Sequence, residues 1–593
     1  GEAANADLLA NLQASLGPRR GYRAWDDVML FNDPEAPTTI KRRFHYGIFT
    51  GGKVRGSVVI DPDSIESVDP RQSDAQAAAA PARKQASNFL ITSPWRSATG
   101  NSLAVKGPQL GYFYPEIVQQ IDLHGPGIKA QGAAVPGLAM YILIGRTEDY
   151  AWSLTSAGHD VRDVFAERLC EPDGSAPTRE SNHYLYKGQC RPLETFTAGV
   201  LNGTPLTYPV SIHGPVFATA TVDGQPFALS RKRSTFGRDA LNLAALKDMT
   251  EGKASTPRRF WRAANQFGFT FNWGYTSRKA TAYFTSGLLP RRARGLDRRL
   301  PTLGTGEFEW RGFLSEREHP HDVSGPHGLL LNWNNQSAPG FMHGDDEPYG
   351  SAHRVELFDQ WPSRPRLTDV VGIMNRAATE DVRSPVWPVI SKVLKTGPAP
   401  NARAGQVVQV LDDWVRRDAP RLDANGDGTF DDAGPVIMDA VWRPIAEAVM
   451  SPVFASALLD DLDDVRGLGG QSAHSLVDKD LRTLLAKRGG GPPWWRGRHR
   501  GRHRGAKVEG RFNLRYCGNG SLAACRASLW QAIIATADTL AAQQGQSNPA
   551  LWRKPADMTG FVPGLLPNTF PTTNRPTFQQ VLEFQRRWGF WHR

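Results

Sequence analysis

Cysteine is scarce in this chain, with four in 593 residues and none in a CxxC pair. That spacing excludes a zinc ribbon or a thioredoxin-type redox motif. No run of 18 apolar residues occurs, which excludes an ordinary membrane-spanning helix. The GxSxG elbow and the zinc-protease HExxH are both missing. One approach to a P-loop, Gly47-IFTG-Gly52-Lys53, continues with Val54 where the motif needs a hydroxyl for Mg²⁺. The segment that follows, Val54 to Ile60, reads as strand where a P-loop needs a helix. An initiator Met is also absent, so Gly1 reads as a processed or trimmed start.

What is present describes a globular protein: 40% hydrophobic and 22% charged residues. At about 150 residues per domain the length allows up to four units. The net charge of +11 is concentrated, because eight cations and no acid lie between Lys487 and Lys507. That tract, Gly489-GGPPWWRGRHRGRHRG, has the arginine and aromatic content of RNA-binding segments. It is short and isolated, and reads as a solvated loop; neither a nucleic-acid nor a membrane partner is expected. The cysteines form two local pairs, Cys170 with Cys190 and Cys517 with Cys525. Two disulfides in a periplasmic or secreted protein fit that pattern, and four buried thiols are the alternative.

Leu8, Leu9, Leu12 and Leu16 recur at helical spacing until Gly17-Pro18, and a second helix is expected around Trp25 to Phe31. Residues 62–86 have linker composition. From Ser87 short β-like runs take over, among them Asn88-Phe-Leu-Ile-Thr, Met140-Tyr-Ile-Leu-Ile, Phe269-Thr-Phe-Asn-Trp and Leu329-Leu-Leu-Asn-Trp. Beyond about 365 helical patterns dominate, as in 406–417, 436–449 and 528–543.

The stretch from Ser87 to Glu167 is the most specific: SNFLITSPWRSATGNSLAVKGPQLGYFYPEIVQQIDLHGPG, then GAAVPGLAMYILIG and YAWSLTSAGHDVRDVFAERL. It resembles the penicillin amidase (penicillin acylase) family of N-terminal-nucleophile hydrolases. The resemblance continues in FNWGYTSRKATAYFTSGLLPRR, LGTGEFEWRGF and LLLNWNNQSAPGF, and residues 5–40 are similar to the end of that family's light subunit. It implies an α+β fold, a four-layer αββα sandwich with a mostly helical insertion. It also implies an organisation: residues 1–45 as the end of the light subunit, 46–86 as a spacer, and 87–593 as the heavy subunit. Within the last, sheets are expected over 87–360 and helices over 361–560.

A serine hydroxyl needs a base within hydrogen-bonding reach. A serine at a chain terminus carries one, since a free α-amine titrates near about 7.7–8.0. The resemblance therefore implies autoproteolysis at Ala86–Ser87, converting a zymogen into an amidohydrolase that cleaves linear amides of the penicillin type or other N-acyl compounds. By the same resemblance Asn334 and the backbone N–H of Ser156 hold the oxyanion, Gln109 orients the substrate, and Arg354 supports the site. Leu110, Ile144 and Leu154 would line the acyl pocket, with Trp95, Tyr112 and Phe113 at its entrance. Phenylacetyl-type and fatty-acyl amides, homoserine-lactone and lipopeptide substrates all stay open. A chain lacking most of the light subunit could instead be an incompetent fragment or an unprocessed precursor.

The family's calcium site would be met by Asp160, Asp163, the carbonyls of Arg162 and Arg298, and Asp345. Separately, Asp423, Asn425, Asp427, Thr429 and Asp431 alternate oxygen ligands around Gly428, like the first half of an EF-hand loop. Gly434 replaces the bidentate Glu at its end, so a second calcium loop and a plain Asx-rich turn stand equal.

Overall fold

The computed structural model describes residues 1–585 apart from 31–32, 34, 48–53, 69–85, 138–140, 202, 345–348, 487–511 and 563. The basic tract, most of the P-loop-like segment, most of the spacer and Asp345 therefore lie outside the described residues.

Two stacked sheets sit between helices. A four-stranded sheet runs Leu329–Asn332, Ala86–Thr92, Ser102–Gln109, Gln580–Phe584, all antiparallel. Successive side chains of a strand alternate between faces, and the two faces bury different partners. Phe89, Ile91 and Ala104 join a cluster with Tyr283 and Leu289, between the sheets. Leu90, Leu103 and Val105 pack outward on Val370, Ile373 and Met374 of the helix Leu367–Thr379. The second sheet has seven strands, with Tyr150–Ser156 and Phe271–Ser277 near its centre. Trp152, Leu154, Trp273 and Tyr275 on its outer face meet Met249 and Phe260 of the helices Asn242–Thr250 and Pro257–Asn265. The order helix, sheet, sheet, helix is the αββα sandwich. The sheets approach closely at Gly274, where an added Cβ would lie 2.7 Å from Ile91 Cδ1.

A third, nine-stranded sheet includes Arg162–Cys170, Gly214–Val222 and Gln225–Arg233. Against it lies the largest apolar cluster, built from six helices between Trp387 and Gln544 together with Glu2–Leu16 and Pro18–Met29. Leu8, Leu9, Leu12, Trp25 and Val28 are all buried there, so the opening helices belong to the core. The second of them starts at Pro18, earlier than its pattern suggests, because Pro with its fixed φ is tolerated in a first turn.

Both disulfides are formed, Cys170–Cys190 and Cys517–Cys525, with Cα separations of 6.0 and 4.9 Å. Among the described residues no helix is long and apolar enough to cross a membrane. Two expectations change. The segment Val54–Ile60 forms no strand, only a bridge from Ser57 to Thr302. The sheets expected over 87–360 are not complete within those bounds, since Gln580–Phe584 pairs with Ser102–Lys106.

Candidate active site

Strand register brings the site together. Ser87, the second residue of its strand, lies opposite Pro108, and Ala86 lies opposite Gln109. On the other side Asn332 pairs with Phe89, so the turn Trp333-Asn334-Asn335 arrives beside Ser87. The Ser87 nitrogen donates to Asn334 Oδ1 at 3.2 Å, and Ser87 itself is 5% exposed. Arg354 Nη2 donates to the same oxygen at 2.6 Å, and its Nε to the Trp333 carbonyl at 3.2 Å. Asn334 Nδ2 donates to the Ser156 carbonyl at 2.8 Å, joining the end of a strand in the opposite sheet.

The turn is held from several sides. Asn334 has φ 63°, a left-handed conformation that Asn tolerates better than most residues. Its N–H donates to Asn332 Oδ1 at 3.0 Å, which also accepts from Thr155 Oγ1 at 2.5 Å. Asn332 Nδ2 donates to Thr39 Oγ1 at 2.7 Å, and Asn335 Nδ2 to the Pro37 carbonyl at 3.1 Å. The sequence pattern passed over Thr39, Thr155, Asn332 and Asn335; four polar residues in five, Asn332 to Gln336, were the available signal. Burial lowers the Arg354 guanidinium to about 10, so it stays cationic at neutral pH.

Gln109 differs from its expected role. Its Oε1 accepts from Trp333 Nε1 at 2.7 Å and its Nε2 donates to the Asn574 carbonyl. It braces the turn and the C-terminal segment, with both ends of its amide engaged by the protein. Leu110 is half-buried and tied through its backbone to Thr577. Ile144 and Leu154 are 0% and 4% exposed, inside the cluster between the seven-stranded sheet and its helices. The partly exposed apolar residues of that cluster include Phe271, opposite Ser156 in the ladder, and Phe578. Tyr112 meets Phe570, and Phe113 bridges Val562, so this aromatic run borders the antiparallel strand pair Met558–Gly560 and Thr569–Pro571. Trp95 lies three residues past Thr92, beyond the far end of the strand that carries Ser87 and beside Gly328, and does not border the site.

The two aspartates expected to hold calcium are engaged otherwise in this structure. Asp160 and Asp163 are buried, but their carboxylates hold arginine. Arg292 Nη2 lies 2.6 Å from Asp160 Oδ2 and 2.7 Å from Asp163 Oδ1, with its Nε 2.8 Å from Asp163. Arg298, expected to offer a carbonyl, brings its guanidinium 2.9 Å from Asp160. Arg162 N–H donates to Asp160 Oδ1 at 3.3 Å. Two cations already balance two carboxylates, and a divalent ion would add uncompensated charge in a buried place. Arg292 also bonds Tyr46 Oη at 2.8 Å, docking the N-terminal portion here. Among the described residues no three carboxylate, His or Cys side chains are gathered as metal ligands. In the loop Asp423–Asp431 the carboxylates turn inward: Asp423 accepts from the N–H groups of Gly426, Asp427 and Gly428, and Asp427 from that of Thr429.

Comparison with known proteins agrees with this architecture. A family profile described as penicillin amidase matches residues 4–565. The chain belongs to the penicillin amidase family. Penicillin G acylase of Escherichia coli is 27% identical over 388 residues, 62% of this chain and 43% of that protein. An acyl-homoserine lactone acylase QuiP of Pseudomonas fluorescens is 28% identical over 312 residues, 49% of this chain and 34% of its own length. The chain thus spans less than half the length of these relatives. A thermostable penicillin G acylase from Alcaligenes faecalis superposes with a TM-score of 0.66 at 22% identity, covering 84% of this chain and 88% of that one. The fold is the N-terminal-nucleophile hydrolase fold.

Proposed function

We infer that this protein hydrolyses a linear amide of an N-acyl compound, with Ser87 as nucleophile after cleavage at Ala86–Ser87. The observation that carries this is the 3.2 Å bond between the Ser87 nitrogen and Asn334 Oδ1, with Arg354 on the same oxygen. Once cut, that nitrogen is the α-amine. Asn334 orients it, and the cation on the far side of the amide disfavours its ammonium form. Ser87 Oγ attacks the substrate carbonyl while the α-amine takes the proton and returns it to the leaving amine. The second hydrogen of Asn334 Nδ2 and the Ser156 N–H are assigned to the oxyanion. Water then releases the acid.

Membership of the family supports amide chemistry, and the half-buried Phe271 and Phe578 favour an apolar acyl group. Residues 1–45 act as the light portion and 46–86 as the spacer. The two disulfides fit an exported enzyme. N-terminal sequencing of the purified chain tests the reading: a new terminus Ser-Asn-Phe-Leu is expected, absent in Ser87→Ala. Release assays with phenylacetyl, glutaryl and long-chain acyl amides then rank the acid. A wild-type chain that hydrolyses these amides while still intact at Ala86–Ser87 refutes the assignment.

A further inference from the structure

In the uncut chain the nitrogen assigned as base is still an amide, so Ser87 has no base of its own for the cut that frees it. We propose that Lys106 is the general base of that self-cleavage, an inference that rests on the reading of Ser87 as the autoproteolytic nucleophile.

Lys106 lies in the strand next to Ser87. Phe89 is opposite Lys106 and Ser87 is opposite Pro108. Alternation puts Ser87, Phe89, Lys106 and Ala104 on one face, and Phe89 with Ala104 identifies it as the face between the sheets. Lys106 is therefore the diagonal neighbour of Ser87, with a Cβ separation of about 7–8 Å or somewhat less. A four-carbon stem can cross that gap. Lys106 is 0% exposed, and its Nζ has no hydrogen-bond partner among the described residues.

Among the described residues nothing on the surrounding elements holds the lysine charged, and Tyr283, in the same cluster as Phe89 and Ala104, is pushed up to about 12 by burial and stays neutral. From the opposite sheet Ser153, Thr155, Asn272 and Thr276 share this interior, and from the last strand Gln580 lies opposite it. None of these ionises. Tyr150 and Tyr275 belong to the outer helical side. Glu583 is bonded to Thr99 and Asn101, Asp369 to the Arg366 N–H, and Arg376 to Asp359. Burial accordingly pulls the Lys106 amine down to about 7, where a large fraction is neutral and able to accept a proton.

The step balances. Lys106 Nζ takes the Ser87 Oγ proton as Oγ bonds to the Ala86 carbonyl carbon. The Ala86–Ser87 C–N bond breaks as Lys106 returns the proton to the departing nitrogen. An ester joins Ala86 to Ser87 Oγ, and water hydrolyses it to the Ala86 carboxylate and a Ser87 with free hydroxyl and amine.

The test follows loss of the intact 65.2 kDa chain after purification in acid and transfer to buffers from about pH 5.5 to 8.5. The cutting rate should rise about tenfold per pH unit below about 7 and level off above it, and Lys106→Met should slow it about 100-fold or more. A pH-independent rate, or wild-type cutting by a folded Lys106→Met chain, overturns the proposal. If Lys106→Met does not fold, the wild-type pH profile decides alone. Failure of the wider reading looks different: the wild-type chain stays whole at every pH, or Ser87→Ala is cut, and the proposal falls with it.

Discussion

Two polar turns in this protein, one built on asparagine and one on aspartate, have different uses. In Asn332–Asn335 the oxygens of Asn332 and Asn335 accept from the turn's own N–H groups, but other side-chain bonds run outward to Thr39, Pro37, Ser156 and, through Asn334 Oδ1, to Ser87 and Arg354. In Asp423–Asp431 they run inward, to the loop's own N–H groups. Both need left-handed residues, Asn334 in one and Gly426 with Gly428 in the other. The difference is that side-chain bonds tie the first turn to four separate elements, whereas the second turn's carboxylates bond its own backbone and only its main chain meets Lys554 and Ala556. A polar turn becomes a site when a rigid scaffold fixes it relative to a reacting group.

The contrast can be broken at several points. Asn334→Ala should lower kcat/KM about 10²–10³-fold with the fold intact, as expected when an oxyanion donor is removed; kinetics with any released acyl amide measures it. Arg292→Met strips a buried guanidinium from two buried carboxylates, and should cost about 3–5 kcal/mol in denaturant unfolding. The same cluster predicts that a chelator leaves the wild-type melting temperature unchanged; a fall of several degrees would restore a structural calcium ion. Asp423→Ala removes an acceptor from exposed backbone N–H groups, and should cost only about 1 kcal/mol, read as a small drop in melting temperature.

A shallower effect concerns pH. Burial alone would lower His213, but hydrogen bonds to Glu167 and Glu309 at 2.8 and 2.7 Å prevail and raise it. A raised folded value means that the bonded imidazolium stabilises fully below its unfolded pKa of about 6.5. That contribution is lost as pH rises through the folded value. Melting temperature should therefore decline on the alkaline side of about 6.5, and His213→Gln should flatten the decline.

The sheets around Ser87 were legible because local patterns and family motifs coincide there. Ser87, Gln109, Ser156, Asn334 and Arg354, scattered over 268 positions of the chain, are joined by one set of hydrogen bonds or adjacent strand positions. What stayed hidden depends on distant partners. Asp160 and Asp163 carry the right residue types for calcium, and only the fold shows that Arg292, 129 positions from Asp163, takes the place between them. Gln580–Phe584 was illegible as a strand of the Ser87 sheet because a run of five residues, far along the chain from its partner strand, carries no mark of the sheet it will join. Lys106 was passed over for the opposite reason: within SLAVKG a single lysine looks like a solvent-facing strand residue until both faces prove to be covered.

The burial of the first two helices has a consequence for inheritance of shape. Glu2–Leu16 and Pro18–Met29 share one apolar core with helices reaching to Gln544, and Tyr46 is bonded at the Asp160 cluster. A cut before Ser87 would alter only the covalent path, since the pieces on either side were never separate folding units. Neither piece would keep its interior without the other, so the severed pair should survive dilution as one particle and come apart only by unfolding.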